Sequence, residues 1–200
     1  MKSKDIEFID HMYHGFVRKA ANFMIKYMDP QLNLPLESYD LWEERRGIFT
    51  YTASTVYAGL ISASKIALLL GNKEESFLYN QKAEEIRNGI LTHLYDEEEG
   101  RFLRGIYRDK NKNIIKDKTV ESSLLLLHEF GLIDPEDYRM LNTVKAIEDR
   151  LWIKNGIGGL ARYENDYYHR VSDDTPGNPW IITTLWLANW YTEVGLFDKA

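Results

Sequence analysis

Apolar residues fall three and four positions apart along most of this chain, and prolines and glycines stand between the runs that keep that spacing. A 3.6-residue period turns one side of each run toward a core, so helices packed on helices are what the chain can build. The first run, Ile6 to Met28, carries Phe16, Ala20, Phe23, Met24 and Tyr27 at that spacing. Asp29-Pro30 stops it, because proline cannot continue a helix interior. A second helix is predicted from about Thr52 to Leu70, with small residues such as Ala53, Ser54, Ala63 and Ala67 that let a neighbour approach closely. Gly71-Asn72 closes it, and a third helix runs from Glu74 to about Tyr95. Gly100–Gly105 with Tyr107 and Ile114-Ile115 reads as a short hairpin. A fourth helix is expected from Val120 to Phe130, and a fifth opens at Asp134-Pro135 and reaches Leu151. Asn178-Pro179 opens a Trp-rich sixth, to about Val194. The expectation is an all-α fold in one unit spanning 1–200, with two long loops at 30–49 and 154–177.

Composition narrows the partners. At −6 the net charge is acidic, and no basic run exceeds Arg45-Arg46, so the concentrated basic face that nucleic acid needs is not expected. With no cysteine, disulfides, thiol nucleophiles and thiolate metal sites are all excluded. The aliphatic runs Ala67–Leu70 and Leu124–Leu127 are too short to span a bilayer, so no membrane is expected. Met1–Asp5 carries no apolar leader core, and the cytoplasm is the expected location. His11 and His14 sit three apart, but no third ligand stands nearby, and neither a metal nor a cofactor is expected. Gly-rich phosphate loops and nucleophile elbows do not occur.

Chemistry concentrates in the two loops. Ser38-Tyr39-Asp40-Leu41-Trp42-Glu43-Glu44 places three carboxylates and two aromatics in seven residues. The bland reading is an acidic cap on the following helix. The functional reading makes one carboxyl a general acid kept protonated by dry aromatic surroundings, with ring faces for a sugar to stack on. Trp42, wedged between carboxylates, favours the second. The other loop holds Gly159-Leu160-Ala161-Arg162-Tyr163-Glu164-Asn165-Asp166-Tyr167-Tyr168, then Gly177-Asn178-Pro179-Trp180. Arg162 beside Glu164 and Asp166 is either a structural ion pair or a planar donor to sugar hydroxyls held by an acid.

Taken in this order, roughly 120 residues apart on a helical background, the two segments resemble the glucoamylase and glucodextranase family, glycoside hydrolase family 15. The helix containing Thr184-Leu185-Trp186-Leu187-Ala188 also fits, and the likeness runs from about residue 15 to the end. The resemblance implies an (α/α)6 toroid of the six-hairpin glycosidase type, about half of it in this chain. It also implies inverting hydrolysis of terminal α-glucosidic bonds in α-glucans or oligosaccharides. By position, Glu43 matches the family's general acid and Glu44 the neighbouring carboxylate that binds sugar hydroxyls. Tyr39, Asp40 and Trp42 match residues around that acid, Arg162 the arginine that binds the innermost glucose, Asp166 its acidic support, and Trp180 a pocket aromatic. The family's catalytic base belongs to a segment downstream of the Asn-Pro-Trp helix, and the sequence stops at Ala200 before such a segment. Residues 170–176 are an insertion relative to many members. A half toroid would leave apolar helix faces open to self-association. A silent carbohydrate-binding module and a trehalase-type α-glucosidase are the alternatives.

Overall fold

The computed structural model describes residues 5–154 and 156–200. Met1–Lys4, where the sequence was read for a leader, and Asn155 in the second loop lie outside the described residues. The first predicted helix is a rod in three parts: α1 (Ile6–Met12), one π turn over Tyr13–Val17, and α2 (Arg18–Lys26). Asp5 caps its start by accepting from Phe8 N at 3.0 Å. Tyr13 in the π turn is fully buried, and its hydroxyl donates to Glu75 Oε2 at 2.7 Å, tying the rod to the helix that carries Glu75.

After the rod the chain runs through β1 (Met28–Asp29) and β2 (Leu34–Pro35), then β3 (Ser38–Tyr39) and β4 (Arg46–Phe49). β4 passes directly into α3 (Thr50–Leu69), and a left-handed Gly71 (φ +81°) turns the chain into α4 (Lys73–His93). α3 and α4 pack on one another through Ala53, Leu60, Ala63 and Ala67 on one side and Tyr79, Ala83, Ile86 and Ile90 on the other. Each fully buried Leu or Ile here contributes about 1.5–3 kcal/mol. By length and composition α3 would also suit a bilayer, which the short aliphatic runs had concealed; its small-residue face is spent on the protein core.

Then come β5 (Tyr95–Asp96), β6 (Arg101–Phe102), β7 (Gly105–Arg108) and β8 (Ile114–Asp117). β3, β4, β7 and β8 form one antiparallel sheet in that order, with Ser38 opposite Gly47, Ile48 opposite Ile106, and Tyr107 opposite Ile115. The all-α expectation is therefore corrected: a mainly helical chain carries a four-stranded sheet, because loop 30–49 is not structureless but feeds two strands into it.

The predicted fourth helix is also corrected. Residues Ser122–Leu127 form a 3-10 helix whose six residues are all buried. Its start is pulled extended (Glu121 φ −139°, ψ 134°) because Val120–Ser122 pairs with Arg162–Glu164: Ser122 N donates to Arg162 O at 2.8 Å and Glu164 N to Val120 O at 3.1 Å. α5 (Tyr138–Leu151) begins three residues after Pro135, capped by Asp137, which accepts from Arg139 N at 2.9 Å. Asp134 turns the chain before it by accepting from Glu136 N. α6 (Ile181–Glu193) starts after Trp180, and Asn178 does not cap it; its amide donates to His169 O at 2.6 Å instead. Ile181, Ile182 and Leu185 of α6, and Phe16 and Phe23 of the first rod, are exposed.

Two outcomes are expected. A Cβ on Gly89 in α4 would stand 2.6 Å from Leu32 O and 2.7 Å from Asn33 O, both backbone atoms that cannot swing away. In an open helix Gly→Ala stabilises by up to about 1 kcal/mol; Gly89→Ala should instead destabilise by about 1–3 kcal/mol, as overpacking does, measured by urea unfolding. The second concerns Asp117, which accepts from Arg104 Nε and Tyr107 Oη at 2.7 Å each. Burial alone would raise its pKa, but Tyr107, Arg104 and the Thr119 side chain hold it below the ordinary carboxylate range. A depressed folded-state pKa contributes stability that is complete above the unfolded value of about 3.9 and is lost as pH falls through the folded one. Asp117→Asn should cost about 3–5 kcal/mol at neutral pH by taking away the carboxylate that Arg104 is hydrogen-bonded to, and should flatten the acid limb of a stability–pH curve. An unaltered acid limb would refute this.

Candidate active site

The acidic–aromatic segment is the loop of the β3–β4 hairpin. Asp40 closes it twice: its N–H donates to Arg45 O at 2.9 Å, and its Oδ1 accepts from Glu44 N at 2.8 Å and Arg45 N at 3.3 Å. Aspartate suits this place because its short side chain reaches back to loop amides. The helix-cap reading fails on position, since α3 begins at Thr50 and its N-cap residue is Phe49, with no capping side chain. At Glu43 the backbone is left-handed, φ +58°, a conformation costly for a residue other than glycine. The hairpin sustains it, and the Glu43 carboxyl is exposed and makes no hydrogen bond or ion pair with any described residue. The dry surroundings expected for the acid are thus not closed around Glu43 within this chain; burial falls on Asp40 (5% exposed) instead.

The second segment comes to the first through Arg162, itself 5% exposed. Arg162 Nε and Nη2 each donate to Asp166 at 2.7 Å, a two-pronged pair, and Nη2 also donates to Glu44 Oε1 at 2.8 Å. Tyr163 Oη donates to Glu44 Oε2. Asp166 is fully buried and also accepts from Tyr168 N at 2.9 Å. Burial pushes the Asp166 pKa up, but Arg162 and the Tyr168 N–H outweigh it and hold the carboxyl below its usual range. Burial alone would lower the Arg162 pKa; Asp166 and Glu44 reverse that and raise it. Tyr163 is pushed up by burial first and by Glu44 second.

Aromatic rings enclose this bridge. The Arg162 guanidinium lies 4.9 Å from the ring centres of Trp42 and Tyr168, 5.2 Å from Tyr163 and 5.4 Å from Trp180. Trp180 is set by backbone pairing with Leu160, its N–H donating to Leu160 O at 2.9 Å. Trp42 lies 6.3 Å from Trp186 of α6, within stacking range. Loop 165–178 is braced from within: Arg170 Nε donates to Ser172 O at 2.7 Å and Nη2 to Asp173 O at 2.6 Å.

Of the residues singled out in the sequence, Asp40, Trp42, Glu44, Arg162, Asp166 and Trp180 converge, and Glu43 stands at their margin. Tyr39, 62% exposed in β3, makes none of these ring or polar contacts. Glu164, weighed as an Arg162 partner, bonds elsewhere, accepting from Val120 N at 2.8 Å. Several residues at the site escaped the sequence reading. Tyr163 and Tyr168 were passed over inside their own motif. Arg104 lies in a segment read as a hairpin, yet its guanidinium is 5.5 Å from the Tyr163 ring. Glu121, the one carboxylate heading the apolar run Ser122–Leu127, was the available signal for a buried acid.

The aromatic-rimmed cation and its carboxylates suit an uncharged polyhydroxylated ligand: planar donors and acceptors for hydroxyls, ring faces for C–H surfaces. Among the described residues no cluster of His, Asp and Glu has metal-binding geometry. The chain is 36% identical over 188 residues to an uncharacterized glycosyl hydrolase of Methanocaldococcus jannaschii, covering 94% of this chain and 27% of that protein. It is 29% identical over 167 residues to Trehalase 2 of Sulfolobus acidocaldarius, covering 82% of this chain and 26% of that one. It thus spans roughly a quarter of the length of these relatives. A bacterial glucoamylase solved with acarbose superimposes with a TM-score of 0.76 at 23% identity, over 94% of this chain and 31% of that one, so the fold is shared. The sequence pattern of the family described as glycosyl hydrolases family 15 matches residues 9–198, and the chain belongs to that family.

Proposed function

We propose that these residues form the acid half of a glycosidase site that hydrolyses terminal α-glucosidic bonds with inversion. The supporting observation is the contrast at the acid loop. Asp40 is buried and Glu44 is bound to Arg162 and Tyr163, while Glu43 between them is exposed and unpaired on a left-handed backbone. A strained residue whose carboxyl is left free is placed for chemistry rather than for stability. Glu43 donates its proton to the glycosidic oxygen as the C1–O bond breaks. A water molecule attacks C1 from the opposite face and gives its proton to a second carboxylate, about 6.5–9.5 Å from the first in inverting enzymes. Asp166 and Glu44 are already committed to Arg162, so neither serves as that base, which we place outside this chain.

In this reading Arg162 and Glu44 hold the hydroxyls of the terminal sugar. Asp166 fixes the guanidinium plane, and Trp42 and Trp180 bound the pocket. The exposed apolar faces of α6 and of the first rod are those that the remaining helices of an (α/α)6 toroid would cover. Trehalose is the second substrate to weigh, because one of the similar proteins is a trehalase. Both reactions use the same acid step and differ in the leaving group.

Glu43→Gln in the intact protein should lower hydrolysis by about 10²–10⁴-fold, the usual share of general acid catalysis, while sugar binding is kept. Arg162→Lys should raise KM and lower kcat, since an ammonium cannot keep both the two-pronged Asp166 pair and the Glu44 bond. Glucose release from maltose, isomaltose, dextran and trehalose reads both variants and identifies the linkage. Near-normal turnover by Glu43→Gln would reject the assignment.

A further inference from the structure

The loop between Asp166 and Gly177 stands with both ends on the arginine site. Asp166, which receives Arg162, also donates its N–H to Pro176 O at 2.9 Å, so the ends meet beside the guanidinium. Gly177 returns so closely that a Cβ there would lie 2.9 Å from Asp166 Cβ and 3.3 Å from Ala161 Cβ. Compact surface loops whose ends meet and whose own side chains pack them are frequent carriers of function. Here Arg170 supplies most of that packing. It is half-buried, and its guanidinium donates to three backbone carbonyls of its own loop: Ser172 O at 2.7 Å, Asp173 O at 2.6 Å and Thr175 O. Asn178 fastens the facing stretch. Its amide nitrogen donates to His169 O at 2.6 Å and Tyr168 O at 3.4 Å, and its oxygen accepts from Val171 N at 3.3 Å. Between these fastenings His169 is held left-handed, φ +48°, against its own preference.

Tyr168 is the residue these bonds hold in place. Its N–H donates to Asp166 Oδ1 at 2.9 Å, and its ring centre lies 4.9 Å from the Arg162 guanidinium and 5.9 Å from the Trp180 ring. Arg162 is buried and Tyr168 is 50% exposed, so the ring stands at the outer edge of the arginine's aromatic enclosure. We propose that Arg170 is a positioning residue for sugar binding: by stapling residues 167–177 into a preformed loop it keeps the Tyr168 ring against Arg162 and fixes one wall of the pocket for the terminal, uncharged sugar. This rests on the glycosidase reading above. Arg170 acts through Tyr168 and not on the substrate. Without the staple the loop opens, and apparent affinity falls by the fraction of molecules whose loop stays closed. Glu43 is carried by the other hairpin, so the effect falls on binding and not on proton transfer.

The test uses the intact protein with glucose release from maltose as one readout. Arg170→Ala should raise KM about tenfold, as for a loop closed in about a tenth of the molecules, and leave kcat within about twofold. Arg170→Lys, which keeps a donor and loses the fork, should fall between. A double-mutant cycle identifies the route: in a Tyr168→Ala background, Arg170→Ala should change KM by less than about twofold, because the wall it holds is already gone. Two further readouts do not depend on turnover. Glucose titrated against tryptophan fluorescence should bind about tenfold more weakly to Arg170→Ala. Thermolysin should cut that variant before Val171 faster than it cuts the parent, with the urea midpoint unchanged. An unchanged KM, an Arg170→Ala effect undiminished in the Tyr168→Ala background, or a parental cleavage rate overturns the proposal. So does a lowered urea midpoint with kcat falling alongside affinity, which would make Arg170 a general stabiliser. Near-normal turnover by Glu43→Gln, with the loss of glucose affinity in Arg170→Ala intact, would instead remove the glycosidase assignment and leave the staple standing.

Discussion

A single buried cation organises this site. Arg162 is nearly inaccessible, and a guanidinium taken out of water is tolerated only where carboxylates receive it. Asp166 takes two of its N–H groups and Glu44 a third contact, and four aromatic rings exclude solvent around them. The constraint is reciprocal. Removing the arginine would leave Asp166 buried and unpaired and would release Glu44, and with it the hairpin loop that carries Glu43. Segments 118 residues apart are therefore positioned by one side chain.

The scaffold makes that junction rigid from behind. The pair α3 and α4 supplies the buried apolar mass, and β4 runs straight into α3, so the acid hairpin is anchored to the most buried part of the fold. From the other side, the extended pairing of Val120–Ser122 with Arg162–Glu164 holds the arginine segment against the same core. The Arg104–Asp117–Tyr107 cluster lies between them and contacts the Tyr163 ring. Buried polar networks of this kind are stable when every member is satisfied, and the unpartnered buried atoms include Asp40 Oδ2, Trp42 Nε1 and Arg45 Nη1 in the acid loop and Arg104 Nη1 in this cluster.

Much of this was legible from residue order. Helices α3, α4 and α5 follow apolar periodicity, and Gly71 marks a real left-handed turn. The two motifs stood out because aromatic residues and carboxylates alternate within a few positions. The reading failed where a long-range partner overrides local preference. Ser122–Leu127 has the composition of a helix, but pairing with residues 162–164 extends its start and leaves a 3-10 coil. Of the sheet, the β7–β8 hairpin was legible from Tyr107 and Ile114-Ile115, but its joining to β3 and β4 was missed, because those strands are two and four residues long, too short for alternation to register. Pro135 and Pro179 marked chain turns correctly, but the helices begin two to three residues later, where Asp137 and Trp180 take the N-cap place.

The sequence by itself determined the mainly helical character, the lack of thiol chemistry in these 200 residues and the family, since these depend on composition, periodicity and motif order. It left two readings of Asp40, Glu43 and Glu44 and two of Arg162. Only tertiary structure separated the three carboxylates into a buried loop brace, a free exposed acid and an arginine ligand, because burial and pairing are properties of contacts between distant segments. The same holds for Glu121. In the sequence it is a charge ahead of an apolar run, and the fold makes it a buried acid whose backbone pairs with Tyr163.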